Sequence, residues 1–316
     1  MEGNALISTL LFVVGLALLI KGSDAFIEGA AYIARYYRVS EAIIGITLVS
    51  MGTSLPELAS DTYASYLGKG LLAVGDIVGS NITNVALVLG LGVAAVPGIA
   101  VNRTMAVRDG FIMLIALSFF AFLAWGDISR LEGTLLLLGF ASYLFFLYRQ
   151  QQKELASWVE VEEVTGRIRS IRTAFVMLVV GGGVVFLGSR LVVDGAVTIA
   201  RILGVAESII GATIMAFGTS VPELAVTVGG LVKKHTDISV GNIIGSNIFN
   251  VMWIIGVSSL VRPLPVDDAL LFVHIPVMLA VSFLLVFFML RRGELLRWQG
   301  VVFLLIYTLF VGYNYF

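Results

Sequence analysis

The stretch that decides the fold is Gly22–Ala59, "GSDAFIEGAAYIARYYRVSEAIIGITLVSMGTSLPELA", because the chain contains it twice. Shifted by 166 residues it lies over Gly188–Ala225, "GSRLVVDGAVTIARILGVAESIIGATIMAFGTSVPELA". The match continues: "VGDIVGSNITNVALVLG" (Val74–Gly90) lies over "VGNIIGSNIFNVMWIIG" (Val240–Gly256). From Gly22 to Gly90, 30 of 69 positions are identical without a gap. Apolar helices resemble one another by chance in Leu and Val, not in the register of Pro, Glu, Gly and Asn. The chain is therefore an internal duplication.

Around that repeat the chain is 59% hydrophobic and 13% charged over 316 residues. A water-soluble domain this apolar would expose far more hydrocarbon than it could bury. Apolar runs of roughly 20 residues recur, each long enough to cross a ~30 Å hydrocarbon layer as a helix. They are continuous rather than alternating, which excludes a membrane barrel. The reading is an all-α membrane protein whose surroundings are the lipid bilayer. A net charge of −1 gives no basic field for nucleic acid. The absence of cysteine excludes disulfides, thiol catalysis and cysteine metal sites. Nothing calls for a cofactor or an obligate protein partner.

The runs predict ten transmembrane helices, near residues 5–35, 41–66, 71–96, 105–125, 132–148, 174–202, 208–231, 238–260, 268–290 and 298–315. The apolar start, Ala5 to Ile20, lacks a basic n-region and a clear small-residue cleavage site and reads as the first span rather than a signal peptide. Five spans fall in each copy: a first repeat over 1–148, a linker over 149–173, and a second repeat over 174–316. An odd number of spans inverts the second copy in the membrane. The basic residues agree, with 14 Lys and Arg in loops after odd-numbered spans and 4 (Lys69, Arg130, Arg201, Arg262) on the other side. The positive-inside rule makes the crowded side, with the Arg149–Ser170 loop, cytoplasmic and both termini extracytoplasmic. Inverted five-helix repeats are a secondary-transporter pattern, with the substrate near the midplane where the copies meet.

"MGTSLPELAS" (Met51–Ser60) puts a proline, a glutamate and hydroxyls inside an apolar run. Pro56 has no N–H, so the carbonyl of Gly52 loses its helical partner, and Pro222 and Gly218 repeat the arrangement. Freed carbonyls inside a membrane are costly unless buried in protein, facing water or bound to something. Helical spacing gathers Thr53, Ser54 and Glu57 on one face, and Ser80 and Asn84 on the third span. The second copy supplies Thr219, Ser220 and Glu223, then Ser246 and Asn250. Two carboxylates with hydroxyl, amide and backbone oxygens suit Ca²⁺ or Na⁺, not zinc or copper. Two glutamates brought together in a dry site stay ionised only beside cations. One Ca²⁺ or two Na⁺ neutralise them, and a site that must be filled either way couples the two ions by competition. That is the physical core of antiport.

Other polar residues have plainer readings. Gly79 and Gly245 of the "GSNI" motifs are equally explained by close helix packing. Lys21 and Arg190, the basic residues inside spans, each have an acid one turn on, Asp24 and Asp194, and read as local neutral pairs. Glu57 and Glu223 have none, and unpaired acids in a membrane are functional by default. Asp61, one turn past Glu57, is either an aid to cation loading or a solvated helix-end acid. Asp76 begins the third span, where a helix N-terminus favours an acid anyway. Their counterparts are Thr227 and Asn242. His235 and His274 have no ligand spacing.

At these residues the chain resembles the cation/Ca²⁺ antiporter superfamily. "GTSLPEL" and "GTSVPEL", followed by "GSNITN" and "GSNIFN", are similar to the two α-repeats of Na⁺/Ca²⁺ exchangers, and the ten-span layout extends the resemblance over essentially the whole chain. The resemblance implies Glu57 and Glu223 as principal Ca²⁺ ligands. It also implies that Thr53, Ser54, Ser80, Thr219, Ser220 and Ser246 supply oxygens to Na⁺, joined by the backbone carbonyls of Ser50 and Ala216. Asn84 and Asn250 match the family's paired polar positions, and Asn in both copies resembles the K⁺-independent exchangers. The large regulatory loop of animal exchangers is missing, and the layout resembles prokaryotic inner-membrane members. Ca²⁺ and Na⁺ are then transported substrates, not cofactors. The nearest rival is an H⁺/Ca²⁺ antiporter, whose members carry "GN-A-x-E" types of motif in place of "GTSxPE". A cation channel would line a pore with the same oxygens, but broken helices in inverted repeats favour an antiporter. An enzyme would need a nucleophile, a cofactor motif or a metal-binding histidine beside the carboxylates, and the sequence has none.

Overall fold

The computed structural model describes residues 5–155, 170–202 and 218–315. Its helices are α1 (Ala5–Tyr36), α2 (Glu41–Thr53), α3 (Leu55–Tyr66), α4 (Gly70–Ala95), α5 (Arg103–Leu123), α6 (Arg130–Leu155), α7 (Ile171–Ile202), α8 (Val221–Val232), α9 (Thr236–Val261), α10 (Leu270–Arg292) and α11 (Arg297–Tyr315). Among the described residues seven are long and apolar enough to cross a membrane, and α2 with α3, bent by 49° at their junction, makes eight if counted as one span. Helix α11 stands where the tenth span is expected. Helix α8 is the second limb of the expected seventh span, whose first limb lies outside the described residues. Helix α6 runs seven residues past the expected boundary at 148, so the linker starts as helix.

Burial sorts the helices. The most apolar stretches of α4 and α9 are 78% and 83% buried, against 33% and 28% for α1 and α7. Helices α4 and α9 form the centre, and the outer helices turn Leu10, Val13, Phe122, Val179 and Leu309 outward, a surface that hydrocarbon suits and water does not. The two longest helices, α1 and α7, run antiparallel along each other on a seam of glycines seven residues apart. A methyl group at Gly15 would meet Gly188 O at 2.9 Å, one at Gly22 would meet Val185 N at 2.9 Å, and one at Gly29 would meet Ala174 O at 2.7 Å. Gly181, Gly188 and Gly195 give the same seam from the other side. Without a hydrophobic force between helices in lipid, such close backbone contact supplies the packing energy.

The all-α reading missed a small ribbon. β1 (Gly98–Ala100) pairs antiparallel with β2 (Glu294–Leu296), with Ile99 opposite Leu295, and so joins the loop after α4 to the loop after α10. An isolated bridge between Ile128 and Leu264 joins the other pair of loops. Three-residue strands carry no alternation long enough to read from sequence. Lys21 and Arg190 also depart from expectation: among the described residues neither forms an ion pair. Asp24 is bound instead by Lys233, at 3.0 Å, which also reaches Glu28 at 2.8 Å.

Candidate cation site

The two broken helices share one local geometry. Between α2 and α3, Ser54 leaves the helical region at φ −90° and ψ 11°; before α8, Ser220 does so at φ −89° and ψ 4°. Each following helix carries proline in its first turn, where a missing N–H costs nothing, so Pro56 and Pro222 restart the helix that they interrupt. Helices α4 and α9 each contain a π-helical turn at equivalent places, Asn84–Leu89 and Asn250–Ile254. Such bulges loosen the i→i−4 ladder and are frequent at functional sites.

These devices bring the expected residues of both copies together in the protein interior. Glu57 and Glu223 are each 1% exposed. Ser54 Oγ, from the first copy, lies 3.0 Å from Glu223 Oε1 and 3.1 Å from Ser246 Oγ, both from the second. It can donate to the carboxylate while accepting from the serine. Thr53 Oγ1 lies 3.1 Å from the carbonyl of Ser50 and 3.2 Å from Asn242 Oδ1. The Ser50 carbonyl also accepts from the Ser54 N–H at 3.0 Å, so its lone pairs are engaged in this state. Thr219 lines the wall of a cavity. Ala216 lies outside the described residues.

Six oxygens of the expected set are buried and, among the described residues, have no hydrogen-bond partner: Glu57 Oε2, Ser80 Oγ and Asn84 Oδ1 from the first copy, and Ser220 Oγ, Glu223 Oε2 and Asn250 Oδ1 from the second. Each such group costs about 1–3 kcal/mol, more when charged. Six together would be hard to tolerate in a chain that had no use for them.

Sequence reasoning missed the residues that aim two of these oxygens. Asn84 Nδ2 donates across the interface to Asn247 Oδ1 at 3.2 Å, and Asn250 Nδ2 donates the other way to Asn81 Oδ1 at 3.0 Å. Asn81 and Asn247 also donate to each other's backbone carbonyls, both at 3.4 Å. The four amides form one reciprocal clamp. It engages the NH₂ ends of Asn84 and Asn250 and leaves their carbonyl oxygens free. Asn81 and Asn247 are identical in both copies of "GSNI", a signal that was visible, but which face of the helix they occupy was not.

A cavity of about 1210 Å³ opens beside the first copy, reaching Ser80, Asp61 and Asp76 and touching α7, α8, α10 and α11. Two expectations change here. Asp61 is 3% exposed, not a solvated helix-end acid. Helix α4 begins at Gly70, so Asp76 sits in its second turn rather than at its start.

The chain matches the family model "Sodium/calcium exchanger protein" over residues 7–149 and 173–316. It is 35% identical over 346 residues to "Sodium/calcium exchanger MaX1" of Methanosarcina acetivorans, covering 96% of this chain and 97% of that one. It is 37% identical over 313 residues to "Putative antiporter CaxA" of Alkalimonas amylolytica, covering 98% of each. The structure resembles that of the sodium-calcium exchanger NCX_Mj soaked with 10 mM Na⁺ and 10 mM Sr²⁺, with a TM-score of 0.84, 33% identity, and coverage of 98% of this chain and 99% of that one.

Proposed function

The chain belongs to the sodium/calcium exchanger family, and from that premise we propose that it exchanges Na⁺ for Ca²⁺ across a membrane by alternating access. That it is a cation/Ca²⁺ antiporter, with ions as substrates, follows from the family and its relatives, which are exchangers rather than enzymes. Na⁺ as the counter-ion, the ligand set and the membrane layout are our reading. The layout is ten transmembrane helices in two inverted repeats, 1–148 and 174–316, joined by a cytoplasmic linker at 149–173, in an inner membrane with both termini outside. The matched kinks at Ser54 and Ser220 and the matched π turns support the repeats, and the uneven basic loops support the orientation.

One observation carries the ligand reading: six unsatisfied buried oxygens, three from each copy, include one from each of two glutamates. Glu57 and Glu223 repel at this range, and an empty site would leave that repulsion uncompensated. Ca²⁺ draws on both carboxylates. Na⁺ ions divide the same oxygens, Ser54, Ser80, Ser220, Ser246, Asn84 and Asn250 among them. Because the oxygens are shared, the two loads exclude each other, and the site crosses the membrane filled with one or the other. Asn at 84 and 250 adds no third charge, which fits independence from K⁺.

Purified protein in liposomes loaded in turn with Na⁺, K⁺ or acid tests this. We expect radiolabelled Ca²⁺ uptake only with outward Na⁺. Uptake driven equally by a pH gradient would replace Na⁺ by H⁺, and Ca²⁺ flux without any counter-ion would make the protein a channel.

A further inference from the structure

Two acids in the cavity wall are left unused by the exchange reading. Asp61 on α3 and Asp76 on α4 both line the cavity. Their carboxyl groups lie within hydrogen-bonding reach of each other. Asp61 Oδ2 is buried and, among the described residues, has no hydrogen-bond partner. The second copy shows what the same two positions look like when satisfied. There Asn242 Nδ2 donates to Thr227 Oγ1 at 3.1 Å, and Asn242 Oδ1 lies 3.2 Å from the Thr53 hydroxyl. That pair is neutral, closed and away from the cavity wall. Where the second copy has an amide–hydroxyl bond, the first has two carboxyls.

Two carboxyls in such contact both stay ionised only with a cation between them; without one they share a proton. A second observation points the same way. Ser80 Oγ, one turn past Asp76 on α4, is 4% exposed, has no partner among the described residues and lines the same wall. The other titratable groups around the pair do not offset it: Glu57 lies one turn earlier on α3, and Asp267, His274 and Tyr307 line the far wall. Helices α1 and α7 contribute apolar groups such as Leu19 and Val193.

We propose that Asp61 and Asp76 form an additional cation site in the cavity wall, one helical turn from Glu57 and Ser80, which takes a partly hydrated divalent cation of the Ca²⁺ class. Two carboxylates match a double charge, whereas one Na⁺ leaves the pair half-neutralised. Oxygen donors exclude the thiolate- and imidazole-seeking metals. Two acids and a hydroxyl leave much of a six- to eight-oxygen shell to water, so the site is weak, on the order of 10⁻⁴–10⁻³ M. It concentrates the divalent ion next to the transport oxygens. The geometry stands by itself, and only the identity of the ion rests on the proposed exchange.

The test uses full-length protein carrying E57Q and E223Q, which disables the glutamate site. Equilibrium binding of radiolabelled Ca²⁺ should still show one weak saturable site per chain, and adding D61T and D76N, which install the neutral pair of the second copy, should weaken it by at least ~10-fold. D76N alone, a smaller change, should weaken it in the same direction if the double substitution unfolds the protein. In the otherwise native chain, D61T with D76N should raise the KM for Ca²⁺ about 5-fold at unchanged kcat. No saturable binding in the E57Q/E223Q protein, or binding indifferent to Asp61 and Asp76, overturns the site. Failure of Na⁺-driven uptake with this binding intact would overturn the exchange reading instead.

Discussion

Gly79 and Gly245 hold the same place in the two copies of "GSNI" and live in opposite surroundings. A methyl group at Gly245 would meet the carbonyl oxygen of Ile46 at 2.2 Å and Ser50 Oγ at 2.6 Å. At Gly79 it would meet no described residue within 4 Å. Gly241 and Gly75 repeat the contrast, with Ala42 O at 2.8 Å from the one and no described residue within 4 Å of the other. Helix α9 is closed onto α2, whereas the second-copy segment that corresponds to α2, residues 207–219, lies almost wholly outside the described residues. In the alternating-access reading the opposite state closes α4 onto the segment equivalent to α2. Gly79 is then small for that contact, as Gly245 is for the one it makes with Ile46 and Ser50.

The comparison is broken most severely at the glutamates, where the copies should behave alike. Glu57→Gln and Glu223→Gln should each reduce Na⁺-driven Ca²⁺ uptake at least ~100-fold. Both proteins should stay folded, because each change removes a buried charge while the amide oxygen can still accept, as Glu223 Oε1 does from Ser54. If either variant transports at the native rate, the two acids do not serve one site.

At the glycines the copies should differ. Gly245→Ala forces a methyl against backbone and should destabilise the protein by about 1–3 kcal/mol or more, seen as a lowered Tm in detergent. Gly79→Ala meets no described residue, so its Tm should stay near native. Its exchange rate should nevertheless fall ~10-fold if alternating access closes α4 as α9 is closed. Native exchange in Gly79→Ala would mean that α4 never closes as α9 does.

The amide clamp offers a smaller effect that crosses between copies. Asn81→Ala frees the NH₂ of Asn250, and Asn247→Ala frees that of Asn84. Each should cost about 1–2 kcal/mol in Ca²⁺ binding, roughly 5- to 30-fold in Kd by isothermal titration. Asn81→Ala combined with Asn250→Ala should cost less than the sum of the two, because they remove one interaction. Strict additivity would show that the clamp does not aim the carbonyl of Asn250.

These contrasts also mark what the sequence could express. The duplication, the breaks at Pro56 and Pro222 and the faces carrying Glu57 and Glu223 are local or periodic, so they were legible. The partners of Asn81 and Asn247 were not, since a hydrogen bond across two helices leaves no spacing in either. Lys21 shows the limit of local reasoning. Asp24 lies three residues from it, yet Lys21 is exposed and Asp24 pairs with Lys233, more than 200 residues away. Helical proximity gives a chance to pair, and tertiary packing decides whether it is taken. The ribbon at Ile99 and Leu295 was too short to carry a pattern, and the cavity arises from how the two copies are arranged, which neither copy encodes by itself.

Lys233 supplies the smallest and most conditional test. It ties Asp24 and Glu28 of α1 to the turn between α8 and α9, at the end of α9 that packs on α2. Its equivalent in the first copy is Leu67, so the cavity side has no such tie. Burial opposes the charge on Lys233, but the hydrogen bonds and charges of Glu28 and Asp24 outweigh it and hold the ammonium above the ordinary lysine value of 10.5. A group whose pKa is raised on folding contributes fully below its unfolded value and loses that contribution as pH rises through the folded one. Lys233→Met should therefore lower stability at neutral pH by about 0.2–1 kcal/mol, since the pair is partly exposed and screened. Thermal unfolding in detergent should show the gap shrinking in high salt, and shrinking again as pH passes above 10.5. A gap indifferent to both would make the contribution of Lys233 one of packing, and the two ends of the molecule would then differ in shape rather than in charge.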